Sequence, residues 1–268
     1  MIKHRKLPKK SITLQKKEIE KIPNVENLKI IHTLFGYCQY PGYFLEVPPE
    51  SPVKNAKLSK IYREVSNMLS YNIDATHFVL GEKNKEFLLK NNVPDDKIVL
   101  VDKRAIIKEG HVYNFNKTFL IKCATEVFPG NELFFLDYDC SLQKDFDKED
   151  IYRKFRERKI EIQGPTICYH NKRLEGPDHK KWRSALCTCL FYCSSHDIIR
   201  EWFKIYSTIL PDSLNDEASM LWVLADMFGV SCPEDLYMFD TDVIRTSRRL
   251  GSSAYNKDNY KDAYFYHR

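Results

Sequence analysis

A short apolar strand that ends in two carboxylates is the feature of this 268-residue sequence that most restricts its fold. Residues 133–136 are four apolar residues that follow a Pro-Gly-Asn turn and lead directly into Asp137-Tyr138-Asp139. An uninterrupted apolar run of this length is typical of a strand buried on both faces of a sheet in an α/β protein. Ligands of open α/β sheets bind beyond the carboxyl ends of the strands, so we expect the two acids to lie at a binding site.

The spacing of Asp137 and Asp139 suits the sharing of one cation. Residues i and i+2 of a strand point to the same face, and a bend at Tyr138 would also turn both acids to one side. Hard divalent ions such as Mg²⁺ and Mn²⁺ take oxygen ligands, typically one or two carboxylates together with phosphate oxygens of a substrate. The alternative is an Asp-x-Asp sequence that simply ends a strand.

Strands and helices alternate along the chain on both sides of the two acids. The pattern predicts strands within residues 28–36, 76–81, 93–101, 161–169 and 184–192, and helices within residues 57–71, 84–90, 116–128, 148–158 and 196–210. This alternation is typical of a doubly wound α/β domain. The first half lacks a Gly-x-Gly-x-x-Gly phosphate loop, so a metal on the two acids would have to neutralise phosphate instead.

Charge and hydropathy restrict the partners of the protein. The formal net charge of +5 is only mildly basic, which suits an anionic small ligand and falls short of a nucleic-acid-binding surface. No apolar run is long enough to cross a bilayer, and the N-terminus lacks the apolar centre of a signal peptide. We therefore expect a soluble protein that does not bind nucleic acid.

The cysteines predict a reducing environment. Eight cysteines are scattered through the sequence without any Cys-x-x-Cys pair, and most lie in apolar segments. A cysteine in such a segment behaves as a small hydrophobic residue. Reduced core thiols in a cytoplasmic compartment are therefore favoured over disulfides or a zinc site.

The two ends of the chain differ in composition from its centre. Residues 1–27 begin with a basic run, and we expect a solvated arm there, with weak contact to an anionic membrane surface or a polyanionic glycan as the alternative. Residues 28–268 are expected to form a single domain. The last residues are rich in Tyr, Lys and Asp, which favours a frayed tail.

Residues 134–146, Phe-Phe-Leu-Asp-Tyr-Asp-Cys-Ser-Leu-Gln-Lys-Asp-Phe, resemble the Asp-x-Asp region of GT-A-fold, metal-dependent glycosyltransferases of the glycogenin and lipopolysaccharide-galactosyltransferase type. The resemblance implies a GT-A-like, mixed but mainly parallel sheet flanked by helices. Residues 28–139 would be a Rossmann-like nucleotide-binding half, and residues 140–268 an acceptor half. The implied reaction moves a sugar from a nucleotide diphosphate sugar, with a UDP-sugar favoured, to a hydroxyl group of a glycan, lipid or protein.

The same resemblance assigns residues to the donor and the metal. In this group the end of the first strand holds the nucleotide, and the helix before the acids sends an Arg, Lys or Asn toward the donor, which also makes Asn116 a candidate. The implied donor-binding residues are Thr33, Leu34, Phe35, Lys117, Lys122, Asp137 and Tyr138. The implied ligands of Mn²⁺ or Mg²⁺ are Asp137, Asp139 and His267, with Arg248, Arg249 and Arg268 as candidate phosphate partners.

Asp216 and Glu217 resemble an acidic element that these enzymes carry at the start of a late helix. The resemblance implies that one of them contacts the acceptor or the donor sugar. In an inverting enzyme such an acid would be the general base that removes the acceptor proton. Acids in the first turn of a helix also serve as ordinary partners of the helix dipole, and this alternative stays open.

Two other functions remain open at this stage. A sugar nucleotidyltransferase would use a similar sheet and metal, but it usually needs a Gly-rich basic loop after its first strand. Residues 36–40, Gly-Tyr-Cys-Gln-Tyr, supply no basic side chain there. The other alternative is a non-catalytic sugar-binding or protein-binding module.

Overall fold

The computed structural model describes residues 24–35, 52–101, 115–159, 166–169, 186–208, 220, 223, 244–246 and 263–267. Residues 1–23 of the predicted N-terminal arm lie outside these ranges. The following description is restricted to the described residues.

A six-stranded sheet forms the centre of the molecule. Its strands are β1 (Leu28–Leu34), β2 (Thr76–Leu80), β3 (Ile98–Val101), β4 (Glu132–Leu136), β6 (Thr166–Tyr169) and β7 (Leu186–Cys193). Their order in the sheet is β3-β2-β1-β4-β7-β6. The first four strands in this order run parallel, β7 is antiparallel to β4, and β6 is antiparallel to β7. The predicted mixed, mainly parallel α/β sheet is thereby confirmed.

A second sheet of three short strands continues from the end of β4. It has the order β5-β9-β8 and consists of β5 (Cys140–Leu142), β8 (Ile244–Thr246) and β9 (Phe265–His267). Because β9 pairs antiparallel with β5, the expectation of a frayed tail is wrong for these last described residues. Tyr264 and Phe265 are buried, and Phe265 packs near Phe134 of the main sheet. This apolar contact explains why the segment is ordered.

Helices cover both faces of the main sheet. They are α1 (Pro52–Leu69), α2 (Glu82–Lys90), α3 (Phe115–Val127), α4 (Lys148–Lys159) and α5 (His196–Thr208). Helix α1 begins five residues before the predicted start, at a proline, which is favoured in the first turn because it needs no N–H partner there. Strand β6 is described as Thr166–Tyr169, and residues 161–165 of the predicted strand lie outside the described residues.

The apolar core lies in two layers, one on each face of the main sheet. Every side chain of β4 is buried, because its residues alternate between these two layers. Phe135 faces one layer, with Ile31, Leu120 and Trp202 from β1, α3 and α5. Phe134 faces the opposite layer, which contains residues of α1 and α4. Cys140, Cys189 and Cys193 are buried, as predicted for thiols in apolar segments. This two-faced burial explains the uninterrupted apolar run before the acids.

The amino end of β4 carries a buried polar network. Glu132 is 5% exposed, accepts a hydrogen bond from the Tyr192 hydroxyl, and forms an ion pair with Arg156 of α4. Burial, reinforced by the Glu132 charge, raises the pKa of Tyr192, so the phenol remains a donor. These contacts neutralise a carboxylate at the end of the sheet opposite Asp137.

We expect the Tyr192→Phe substitution to lower the free energy of unfolding by about 1.5 kcal/mol, because it removes one donor from a buried carboxylate. Urea unfolding measures this change. Tyr264→Phe is the matched control, since its hydroxyl bonds to Asp150, which keeps contact with solvent and with Arg153. A loss for Tyr192→Phe no larger than that of the control would contradict a stabilising role for the network.

Candidate functional site

The two acids lie where the strand order of the main sheet reverses. Strand β1 has β2 on one side and β4 on the other, so the chain runs outward from β1 through β2 to β3 and then returns to place β4 on the opposite side of β1. Such a switch point opens a crevice beyond the carboxyl ends of the two strands. Leu34 and Leu136 are the last residues of β1 and β4, and Asp137 follows immediately.

Residues Asp137, Tyr138 and Asp139 form a tight turn between the two sheets. The Asp137 amide donates to the carbonyl of Cys189 in β7 at 2.7 Å, and the Cys140 amide donates to the carbonyl of Asp137 at 3.3 Å. Tyr138 is buried, while Asp137 and Asp139 are partly exposed. The turn therefore keeps its central side chain inside the protein and leaves the two acids partly exposed at the carboxyl end of β4.

Lys117 of α3 forms an ion pair with the first acid. Its Nζ atom lies 2.7 Å from Asp137 Oδ2, 3.3 Å from Thr188 Oγ1 and 4.9 Å from the centroid of the Phe135 ring. The Lys117 side chain is 8% exposed and that of Asp137 is 26% exposed. A buried ammonium group is tolerated only where it is paired, and Asp137 meets that requirement.

The electrostatics of Asp137 combine opposing influences. Burial raises the pKa of the Asp137 carboxyl, the positive charge of Lys117 lowers it, and the nearby Asp139 carboxylate raises it further. Two carboxylates so close together repel each other, and a cation placed between them relieves that repulsion. This part of the crevice is therefore suited to positive charge.

A layer of three aromatic rings lies directly beneath the turn. His32 on β1 stacks on Tyr138 with centroids 4.7 Å apart, and on His77 of β2 at 5.2 Å. Nδ1 of His32 lies 2.6 Å from the carbonyl oxygen of Leu136, and Nδ1 of His77 lies 2.6 Å from the Tyr138 hydroxyl. We call His32, His77 and Tyr138 the ring layer.

Both histidines of the ring layer are neutral. Burial lowers the pKa of His32 to about 4, against a raising contribution from its bond to Leu136. Burial also lowers the pKa of His77 well below its usual value. Because the Leu136 carbonyl can only accept, His32 carries its proton on Nδ1 and donates. This layer was not predicted from the sequence, although one histidine in each of two neighbouring predicted strands was a visible signal.

The predicted nucleotide contacts at the end of β1 lie beside the acids. The β1–β4 register pairs Ile31 with Phe135, and its continuation brings Thr33 opposite Asp137. Thr33 is 4% exposed, and its Oγ1 atom makes no hydrogen bond within the described part of the chain. Leu34 packs into the apolar core, and Phe35 ends the described segment with partial exposure.

The predicted residues of α3 differ in position. Asn116 and Lys117 are both buried near the start of the helix, and Lys117 reaches Asp137. Lys122 is one and a half turns farther along and pairs with Glu126 on the same helix, where both side chains contact solvent. The structure thus brings Lys117, and not Lys122, to the acids.

The C-terminal segment approaches the two acids through its backbone. In the β5–β9 pairing, His267 is the partner of Cys140, the residue after Asp139. The predicted acids Asp216 and Glu217 lie outside the described residues. The predicted phosphate partners Arg248, Arg249 and Arg268 also lie outside them.

The donor atoms present fit a metal that a substrate helps to coordinate. Among the side chains that the structure describes, no group of three or more His, Cys, Asp and Glu residues is arranged to hold a metal. Asp137 and Asp139 offer two carboxylates, the number that Mg²⁺ typically uses when phosphate oxygens and water complete its coordination. The set is therefore suited to a metal–phosphate complex.

Solved structures of other proteins resemble nearly the whole chain. Mouse xyloside xylosyltransferase 1 in its apo form aligns with a TM-score of 0.51 and 11% sequence identity, over 90% of this chain and 97% of the other. The two chains share one fold. The GT-A-like architecture predicted from the sequence is thereby confirmed.

More distant matches have lower scores. A glycosyltransferase involved in glycosylation of the major capsid of PBCV-1 aligns with a TM-score of 0.41 at 15% identity, over 89% of this chain and 93% of the other. A protein assigned as a glucose-1-phosphate thymidylyltransferase from Bacillus anthracis aligns with a TM-score of 0.38 at 12% identity, over 74% and 82%. No protein-family model matches the sequence, and no curated protein matches it either.

None of the helices among the described residues combines the length and the apolar character needed to span a bilayer.

Proposed function

We propose that the protein is a metal-dependent glycosyltransferase that transfers a sugar from a nucleotide diphosphate sugar, with a UDP-sugar favoured, to a hydroxyl group. The observation that carries the proposal is the position of Asp137 and Asp139 at the switch point of the sheet, with the Lys117 ammonium 2.7 Å from Asp137. Clefts at such points bind ligands in α/β proteins. The shared fold with a xylosyltransferase is consistent with this chemistry.

Asp137 and Asp139 would hold Mn²⁺ or Mg²⁺, with His267 as a further ligand from the neighbouring strand. Bound there, the metal would stabilise negative charge on the departing diphosphate. The fit depends on the donor atoms: carboxylate oxygens suit these ions, and β9 brings the backbone of His267 next to Cys140.

Other residues of the crevice would bind and orient the donor. Lys117 holds Asp137 in place and adds a positive charge close to where phosphate would lie. The Thr33 hydroxyl is buried beside Asp137 and can bond to the nucleoside, with the backbone of Leu34 and Phe35 nearby. Tyr138 keeps the two carboxylates apart and oriented, while Lys122 is assigned to the solvated face of α3.

The acceptor is a hydroxyl group of a glycan, lipid or protein. In an inverting reaction Asp216 or Glu217 would remove its proton, which is a role suited to a carboxylate beside the donor sugar. In a retaining reaction the same acids would contact the donor sugar or the acceptor.

Calorimetric titration with UDP tests the proposal. We expect micromolar UDP binding in buffer that contains Mn²⁺, and weakening of at least about tenfold when EDTA replaces the metal, because the diphosphate then faces two carboxylates without a divalent ion between them. GDP is the control for base selectivity. Hydrolysis of a panel of UDP-sugars, followed by release of UDP, then identifies the donor.

The outcomes separate the competing functions. Absence of nucleotide binding by the folded protein would contradict the transferase and leave the non-catalytic binding module. Formation of a nucleotide sugar from UTP and a sugar 1-phosphate, without release of UDP from any nucleotide sugar, would show a nucleotidyltransferase instead.

A further inference from the structure

The ring layer joins three neighbouring strands directly below the two acids. His32 and His77 are register partners on β1 and β2, so their side chains project to the same face of the sheet. Tyr138 leaves the end of β4 and extends over His32 until its hydroxyl reaches His77. The phenol therefore connects the Asp-x-Asp turn to a strand that is two positions away in the sheet.

The hydrogen bonds of the layer anchor the chain on both sides of Asp137. His32 donates to the carbonyl of Leu136, the residue before Asp137, and His77 bonds to the side chain of Tyr138, the residue after it. Both contacts are 2.6 Å long. A residue held at its two neighbours has little freedom to rotate, so the direction of its carboxylate is restricted.

Burying three polar rings at this position costs free energy unless their polar atoms are hydrogen-bonded. All three are at most 7% exposed, and they border the apolar layer that contains Val79, Phe134 and Leu136. A buried polar group must be satisfied by hydrogen bonds, and phenylalanine would fill the same volume without that requirement. A fully bonded network has one preferred geometry, whereas an apolar cluster can pack in several ways.

We propose that His32 and His77 are positioning residues, which hold the Asp137-Tyr138-Asp139 turn in the one arrangement that binds a metal-complexed nucleoside diphosphate. The identity of the ligand rests on the proposed function, whereas the anchoring of the turn rests on the contacts of the two histidines alone. The two histidines contact neither metal nor nucleotide and act through Leu136 and Tyr138.

Three single substitutions test the anchoring while they preserve the rings. Tyr138→Phe removes the hydroxyl, His77→Phe removes its Nδ1 partner, and His32→Phe removes the donor to Leu136. The double variant Tyr138→Phe/His77→Phe completes a double-mutant cycle for the hydrogen bond between His77 and the Tyr138 hydroxyl. Tyr192→Phe is the matched control, because it removes a hydroxyl from a buried bond at the opposite end of the sheet.

The first readout is amide hydrogen exchange of Asp137 and Cys140 in EDTA without nucleotide, since the first amide ties the turn to the Cys189 carbonyl of β7 and the second bonds to the Asp137 carbonyl within the turn. We expect each single variant to raise the local exchange rates about tenfold. The double variant should exchange no faster than the faster of its two parents, because both changes break the same bond. Tyr192→Phe should leave these two rates unchanged although it lowers global stability.

The second readout is the affinity for UDP in Mn²⁺. We expect the three single variants to bind UDP about tenfold more weakly than the wild type, the usual effect of losing a residue that orients a metal ligand. The Tyr192→Phe protein should bind like the wild type.

The two readouts distinguish this proposal from the function on which it builds. Unchanged exchange, or unchanged UDP affinity in variants of a wild type that binds, would overturn the positioning role. If the wild type binds no UDP, the proposed function fails, and exchange alone then decides whether the histidines hold the turn: a rise supports the anchoring and no rise overturns it.

Discussion

The Asp139→Asn protein is expected to lose about 100-fold in affinity for UDP in the presence of Mn²⁺, which corresponds to about 2.7 kcal/mol. The substitution keeps the size of the side chain and removes the charge that would hold the metal on the diphosphate. Its affinity should fall to the value that the wild type shows in EDTA, and EDTA should have no further effect on the variant. Calorimetry with UDP in the two buffers measures both quantities.

Asp96→Asn is the matched control for this loss. Asp96 is exposed and lies before β3, at the edge of the sheet away from the acids, so the same chemical change should leave UDP binding unaltered. Asp137→Asn should weaken binding as well, because it removes the second carboxylate. Retention of tight metal-dependent binding by Asp139→Asn would contradict the metal-binding role and favour an Asp-x-Asp sequence that only ends a strand.

The Lys117→Met protein is expected to lose about 3 kcal/mol of stability in EDTA at a pH where Asp137 is fully ionised, because removal of one partner of a buried ion pair leaves the other charge uncompensated. Lys122→Met is the matched control on the same helix. Its partner Glu126 is exposed, so the change in stability should stay below about 0.5 kcal/mol. Urea unfolding of the two variants and the wild type measures the difference.

The stability loss of Lys117→Met should depend on pH in a defined direction. Lys117 lowers the pKa of Asp137 and burial raises it, so without the lysine the folded-state pKa lies further above its unfolded value. When the pKa of a carboxyl is higher in the folded than in the unfolded protein, its contribution to the free energy of unfolding is fully present below the unfolded-state pKa. This contribution is lost as the pH rises through the folded-state pKa. Because the folded-state pKa of Asp137 is about 7 in the wild type, the difference between variant and wild type should be small up to about pH 6 and grow above about pH 7. A difference independent of pH would show that Asp137 does not sense the loss of Lys117.

The sequence alone determined the alternation of strands and helices up to β4 and the location of the two acids after it. The apolar run before Asp137 indicated a strand buried on both faces, and the alternation of strands with helices favoured a mainly parallel, doubly wound sheet. Two carboxylates after such a strand lie beyond its carboxyl end by topology, which is why the position of Asp137 and Asp139 was predicted without coordinates. The periodicity of apolar residues is sufficient to assign these strands and helices, because their local structure depends on residues that are close in sequence.

Only the tertiary structure decided which side chains meet those acids. Lys117 and Lys122 are equally basic in the sequence, but the packing of α3 takes one to Asp137 and leaves the other with Glu126. His32 and Tyr138 are 106 positions apart, yet the β1–β4 pairing stacks their rings beneath the turn. The physical reason is that such contacts depend on strand order and register, which are set by long-range pairing and not by the residues on either side.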